Sequence, residues 1–170
     1  MPGPDHIKLI VFDVDGVLTD GSIMIDGTGG EYKRFHTRDG FAIRAAMSVG
    51  LKIGVISGRA SRAVTARMGE LGVDLLMQGV KNKSVAFETL CQQAEVLPED
   101  AAYVGDDLID LPAMLRCGYP MAVGDAPEEV KAAAKYVTTI TGGRGAAREA
   151  IEHILKAQDQ WDDVVDQYGI

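Results

Sequence analysis

Short β-rich runs alternate with helix-like stretches along nearly the whole chain of 170 residues, and that alternation limits the folds open to it. The β-rich runs are 8–13, 51–57, 75–78, 101–105, 119–123 and 136–139. Between and after them, residues 39–49, 59–71, 84–94, 109–117, 127–134 and 146–156 have helical spacing of apolar side chains. A strand parallel to its neighbour needs a crossover long enough to hold a helix. The pattern therefore predicts an α/β chain, a Rossmann-like parallel sheet with helices on both faces. Ligands of such sheets gather outside the carboxyl ends of the strands.

One segment departs from this rhythm. Residues 22–26 and 31–37 flank Gly27-Thr28-Gly29-Gly30 and read as a β-hairpin inserted after the first strand. Two strands alone are marginal in water, so the hairpin is expected to pack on its own domain or on another subunit. Residues 1–170 read as a single domain, with the hairpin at 22–37 and a C-terminal tail at 141–170. In that tail Trp161, Val164, Val165 and Tyr168 have the spacing of a docking helix.

The formal charge of −8 disfavours nucleic acid or an anionic membrane as the main partner. It leaves room for an anionic small substrate, because a bound divalent cation can reverse the local sign. Cys91 and Cys117 are too few for a disulfide framework and read as buried free thiols. No apolar run reaches the length of a signal peptide core or a membrane span, so a cytoplasmic protein is expected.

Four groups of polar residues fall at strand ends. The apolar run Leu9–Phe12 passes directly into Asp13-Val14-Asp15-Gly16. Two carboxylates so close repel one another, and Mg²⁺, which prefers carboxylate oxygens, would remove the conflict. Ser57-Gly58-Arg59 follows the second run; its hydroxyl can bind a phosphate oxygen or cap a helix. Lys83 opens a helix, where a cation gains nothing from the dipole unless an anion is present. Lys81 is close enough to be its rival. Asp106, Asp107 and Asp110 follow the fourth run; Asp106, nearest the strand, is the better metal ligand, while Asp107 or Asp110 could simply cap a helix.

In this order the four groups resemble the motifs of the haloacid dehalogenase superfamily of phosphatases, over nearly the whole chain. The resemblance implies that Asp13 attacks phosphorus and that Asp15 moves the proton. It implies that Ser57 and Lys83 hold the phosphoryl group, and that Asp13, the backbone carbonyl of Asp15 and Asp106 bind Mg²⁺, with Asp107 or Asp110 in support. Only the hairpin fits where relatives insert a cap, so the chain resembles the capless type, whose subunits cover each other's sites. The stretches Phe12–Gly21, Thr37-Arg38-Asp39-Gly40, Ser57-Gly58-Arg59, Gly105–Asp110 and Gly142–Ala146 are similar to those of the phosphatases of 3-deoxy-D-manno-octulosonate 8-phosphate. Those are homotetramers that supply a lipopolysaccharide sugar. The same likeness implies a small phosphorylated sugar acid as substrate, with Thr37, Asp39, Gly58 and Arg59 near it; an acidic residue in place of Arg59 would suit a nine-carbon sugar. Arg144 could reach the site or be a plain loop charge. A signalling receiver domain also combines acidic residues, Ser or Thr and Lys, but its phosphorylated Asp ends a middle strand, where this chain has Ser57. A catalytically silent relative should lack one of the motif residues, and all are present.

Overall fold

A computed structural model describes residues 3–169. Strands β1 (Leu9–Phe12), β4 (Lys52–Ile56), β5 (Leu75–Met77), β6 (Ala101–Gly105), β7 (Tyr119–Ala122) and β8 (Tyr136–Val137) form one sheet. Its order is β5-β4-β1-β6-β7-β8, and every pairing is parallel. The first strand lies between β4 and β6, with Leu9 opposite both Lys52 and Ala101. Covered on both faces, it has no polar side to offer, which is why Leu9-Ile10-Val11-Phe12 is apolar without alternation.

The sheet grows outward from β1 in both directions, so right-handed crossovers put the two sets of helices on opposite faces. Helices α1 (Thr37–Ser48) and α2 (Arg62–Leu71) follow β1 and β4; α3 (Lys83–Ala94), α4 (Leu111–Met114) and α5 (Glu128–Ala133) follow the later strands. Helix α6 (Ala146–Ala157) returns to pack along α1. Gly54 in β4 lets α3 approach: a Cβ there would lie 2.7 Å from Leu90 Cδ2.

Several boundaries differ from the sequence reading. Helix α1 starts at Thr37 because His36 caps it, accepting the Arg38 N–H at 3.3 Å. Helix α2 starts at Arg62, not Arg59, and Ser57-Gly58-Arg59 stays in a loop. The expected helix over 109–117 is a 3₁₀ turn, Leu108–Asp110, followed by the single turn of α4. It stops short because Gly118 must press on the Glu99 backbone, where a Cβ would lie 1.8 Å from the carbonyl oxygen. After β1, strands β2 (Met24–Ile25) and β3 (Glu31–Tyr32) pair antiparallel in a separate two-stranded sheet. The tail forms α7 (Trp161–Asp166); Val164 is buried and the Tyr168 ring lies 5.3 Å from that of Phe41. Among the described residues no helix is long and apolar enough to cross a membrane.

Candidate active site

Asp13 directly follows the central strand, and its N–H still bonds the Val104 carbonyl of β6 at 3.1 Å. The residue is buried, so its carboxyl group is fixed at the carboxyl edge of the sheet. The chain then turns at Gly16, whose φ of +95° favours glycine. Space demands glycine there as well: a Cβ would sit 2.0 Å from Asp106 Oδ2.

Lys83 is the first residue of α3, which Asn82 caps by accepting the N–H groups of Ser84 and Val85 at 3.1 and 3.2 Å. Its ammonium lies 2.7 Å from Asp13 Oδ1 and 2.6 Å from Asp110 Oδ1, and is buried between them. Those anions compensate for a cation at the wrong end of a helix dipole. Lys81 is exposed, which decides between the two lysines.

Asp110 is fully buried and saturated with donors. Oδ1 accepts from Lys83 and from the Tyr103 hydroxyl at 2.8 Å; Oδ2 accepts the N–H groups of Asp106 and Asp107 at 3.0 and 3.3 Å. It therefore braces the loop that presents Asp106. Asp107 is exposed and caps the 3₁₀ turn, accepting the Leu108 N–H at 2.7 Å.

Carboxylate oxygens of Asp13, Asp106 and Asp110 lie within 4.8 Å of one another. Burial, reinforced by the charge of Asp110, pushes Asp13 up to about 6, against the opposing pull of Lys83. Burial and then the charges of Asp13 and Asp110 push Asp106 up to about 8. Asp13 and Asp110, both buried, share the one ammonium of Lys83, and partly buried Asp106 beside them has no cation of its own among the described residues. A hard divalent cation bound by oxygen would relieve that excess, so the donor set fits Mg²⁺. Asp110 has its oxygens committed to other donors, which leaves Asp13 and Asp106 as the side chains free to bind it.

The structure gathers Asp13, Lys83 and Asp106 but distributes the other expected site residues. Ser57 follows β4, the strand beside β1; it is buried, and its hydroxyl accepts the Arg59 N–H at 3.2 Å. Gly58 lies between them, open enough that a Cβ would meet only the Val80 carbonyl at 3.6 Å. The carboxylate of Asp15 is not part of the acidic cluster and pairs with Lys33. Arg59 pairs with Glu31 of the hairpin at 3.1 Å, not within α2. Asp39, expected near substrate, is buried and accepts the Arg148 N–H at 2.9 Å, tying α1 to the start of α6. Its first-turn position put it against the neighbouring helix. Thr37 lines a groove of about 530 Å³ with Phe41, Arg44, Arg67 and Tyr168. Arg144 is exposed, 4.0 Å from Asp20. The glycines before it lie on the acidic turn, and a Cβ on Gly142 would sit 1.7 Å from the Gly16 carbonyl oxygen.

Glu31 and Lys33 escaped the sequence reading. They lie in a hairpin with no motif of its own, and only the fold carries them to Asp15 and Arg59.

A buried acidic cluster bridged by a lysine, at the carboxyl edge of a parallel sheet, has the makings of a phosphoryl-transfer hydrolase. The family model for haloacid dehalogenase-like hydrolases matches residues 73–149, which include Lys83, Asp106 and Asp110. The 3-deoxy-D-manno-octulosonate 8-phosphate phosphatase of Escherichia coli K12 is 44% identical over 163 residues, 96% of this chain and 87% of that one. The chain thus belongs to the 3-deoxy-D-manno-octulosonate 8-phosphate phosphatases within the haloacid dehalogenase-like hydrolases. The crystal structure of the Moraxella catarrhalis phosphatase in complex with magnesium, phosphate and KDO superposes with a TM-score of 0.94 at 39% identity, covering 97% of this chain and 95% of that one. The cobalt-bound Haemophilus influenzae phosphatase gives 0.90 at 44% identity, covering 92% and 91%.

Proposed function

We propose that this chain is a magnesium-dependent phosphomonoesterase that releases phosphate from 3-deoxy-D-manno-octulosonate 8-phosphate, in the synthesis of a lipopolysaccharide sugar. The observation that carries it is the buried ion-pair chain Asp13–Lys83–Asp110 beside Asp106. It holds a carboxylate at a strand end, with a cation next to the place a phosphoryl group would occupy.

A carboxylate oxygen of Asp13 attacks phosphorus while the bond to the sugar oxygen breaks, giving an aspartyl-phosphate. Asp15 gives a proton to the departing sugar alkoxide. It then takes one from the water that attacks the aspartyl-phosphate, which returns Asp13 and releases inorganic phosphate. Lys83 and the Ser57 hydroxyl hold the phosphoryl oxygens as charge redistributes. Asp13, Asp106 and the Asp15 carbonyl would hold Mg²⁺, which supplies charge neutralisation to the phosphoryl group. Asp110 fixes Lys83 and the Asp106 backbone, and so acts through them. Arg59 can bind the substrate carboxylate in two parallel bonds once it leaves Glu31.

A homotetramer in the cytoplasm, with neighbouring subunits covering each site, completes the proposal. Ile23, Met24, Ile25 and Tyr32 are all exposed on the hairpin, an apolar surface suited to a second copy of the chain.

The test is kcat/KM across a panel of sugar phosphates, including eight- and nine-carbon keto acids. The eight-carbon phosphate should rank among the best substrates, and Asp13→Asn should lower its turnover by about 10⁴-fold or more. EDTA should silence the enzyme until Mg²⁺ is restored. A poor rank for the eight-carbon compound would sink the substrate; full turnover by Asp13→Asn would sink the mechanism.

A further inference from the structure

The side chain of Lys33 is buried where those of its neighbours are not. Tyr32 is 63% exposed and the Arg34 side chain 63%, yet the Lys33 side chain is 1% exposed. Its ammonium donates to Asp15 Oδ1 and lies 3.1 Å from Glu31 Oε1. The same Glu31 oxygen lies 3.1 Å from Arg59 Nη2. Burial would raise the Glu31 carboxyl group, but the bonds from Lys33 and Arg59 help hold it below its usual range, as a paired carboxylate. A cation buried between two partly exposed carboxylates is held from both sides, because leaving either partner strips an ammonium that water does not reach of one of its two anions.

Asp15 is differently placed. It lies on the turn at Gly16, and among the described residues Lys33 is the one side chain that bonds its carboxylate. The direction of that carboxylate is therefore set from the hairpin, eighteen residues further along the chain.

We propose that Lys33 is a positioning residue for the phosphoester reaction, holding the Asp15 carboxyl group where it can serve the leaving oxygen. This rests on the reading that Asp15 moves the proton of the departing alcohol. The hairpin then belongs to the acid–base apparatus of its own subunit, besides any part it has in assembly. Glu31 is the brace that keeps Lys33 in place, and its second bond couples Arg59 to the same unit.

The test compares kcat/KM for 3-deoxy-D-manno-octulosonate 8-phosphate and p-nitrophenyl phosphate. That constant covers the steps up to departure of the first leaving group. The sugar alkoxide needs a proton to leave, whereas p-nitrophenolate leaves without one. Lys33→Met should lower the constant for the sugar phosphate by about 10²-fold, the scale of general acid–base catalysis, and that for the aryl phosphate by less than about threefold. Retained aryl turnover shows that the variant is folded. Lys33→Arg, which keeps the charge and donors, should recover most of the loss. Equal losses on both substrates, no loss on the sugar phosphate, or an arginine variant as poor as the methionine would overturn the proposal. Asp15→Asn is the control: if it too shows no difference between the substrates, the reading of Asp15 is what fails.

Discussion

Asp13 and Asp15 stand two positions apart and have different partners. Asp13 faces Lys83 and the acidic cluster; Asp15 faces Lys33 on the hairpin. Gly16, directly after them, makes the left-handed turn and leaves Asp106 Oδ2 room to approach. Gly16→Ala adds a Cβ where both the φ and that oxygen oppose it, a strain of about 1–3 kcal/mol. The concentration of Mg²⁺ giving half-maximal phosphate release should rise about tenfold; an unchanged magnesium titration would contradict the role of Gly16. Burial separated the residues that sequence left open. Lys83 and Lys81 look alike in the chain, as do Asp107 and Asp110, yet only Lys83 and Asp110 are enclosed. Asp39 has a part that sequence did not suggest: its carboxylate joins two helices.

At the scale of elements, strands were more legible than helix starts. Residues 101–105 coincide with β6, because a strand covered on both faces is a plain apolar run. The segments 59–71 and 109–117 misled because their helical spacing continues into loops held by other contacts. The Ser61 N–H bonds Gln78 Oε1 at 2.8 Å, and Gly118 is seated on the Glu99 backbone. The hairpin is the element most dependent on its surroundings. Its strands have two residues each, with exposed Ile23, Met24 and Ile25. If these form the interface between copies, the double variant Ile23→Lys, Ile25→Lys should sediment as a monomer. Persistence of the parent's assembly would remove the hairpin from that role.

For the whole molecule, the sheet order brings together carboxylates from distant segments, and their repulsion is a property of the fold. Asp13 and Asp106 are pushed up to about 6 and about 8 from 3.8. Between about pH 4 and 8 the folded, metal-free protein thus holds more protons at these groups than the unfolded chain does. Their contribution to stability is lost as pH rises through the folded values. Mg²⁺ binds the ionised carboxylates, so its stabilisation should grow over the same range. Calorimetry at pH 5 to 8, with EDTA and with Mg²⁺, should show a difference in Tm that widens with pH. A constant difference would be inconsistent with buried carboxylates that ionise on binding the metal.

Sequence by itself determined the parallel α/β architecture, the polar residues just after strands, Asp13, Ser57 and Asp106, and Lys83 at the start of a helix. Those follow from local rules: apolar runs that must be covered on both faces, crossovers of helical length, and polar groups where a strand stops. Only the tertiary structure decided that Lys83 is clamped between Asp13 and Asp110, that Asp39 ties two helices, and that Lys33 reaches Asp15. These depend on which distant groups share a buried space, where an unpaired charge is costly. Spacing along the chain carries no record of that.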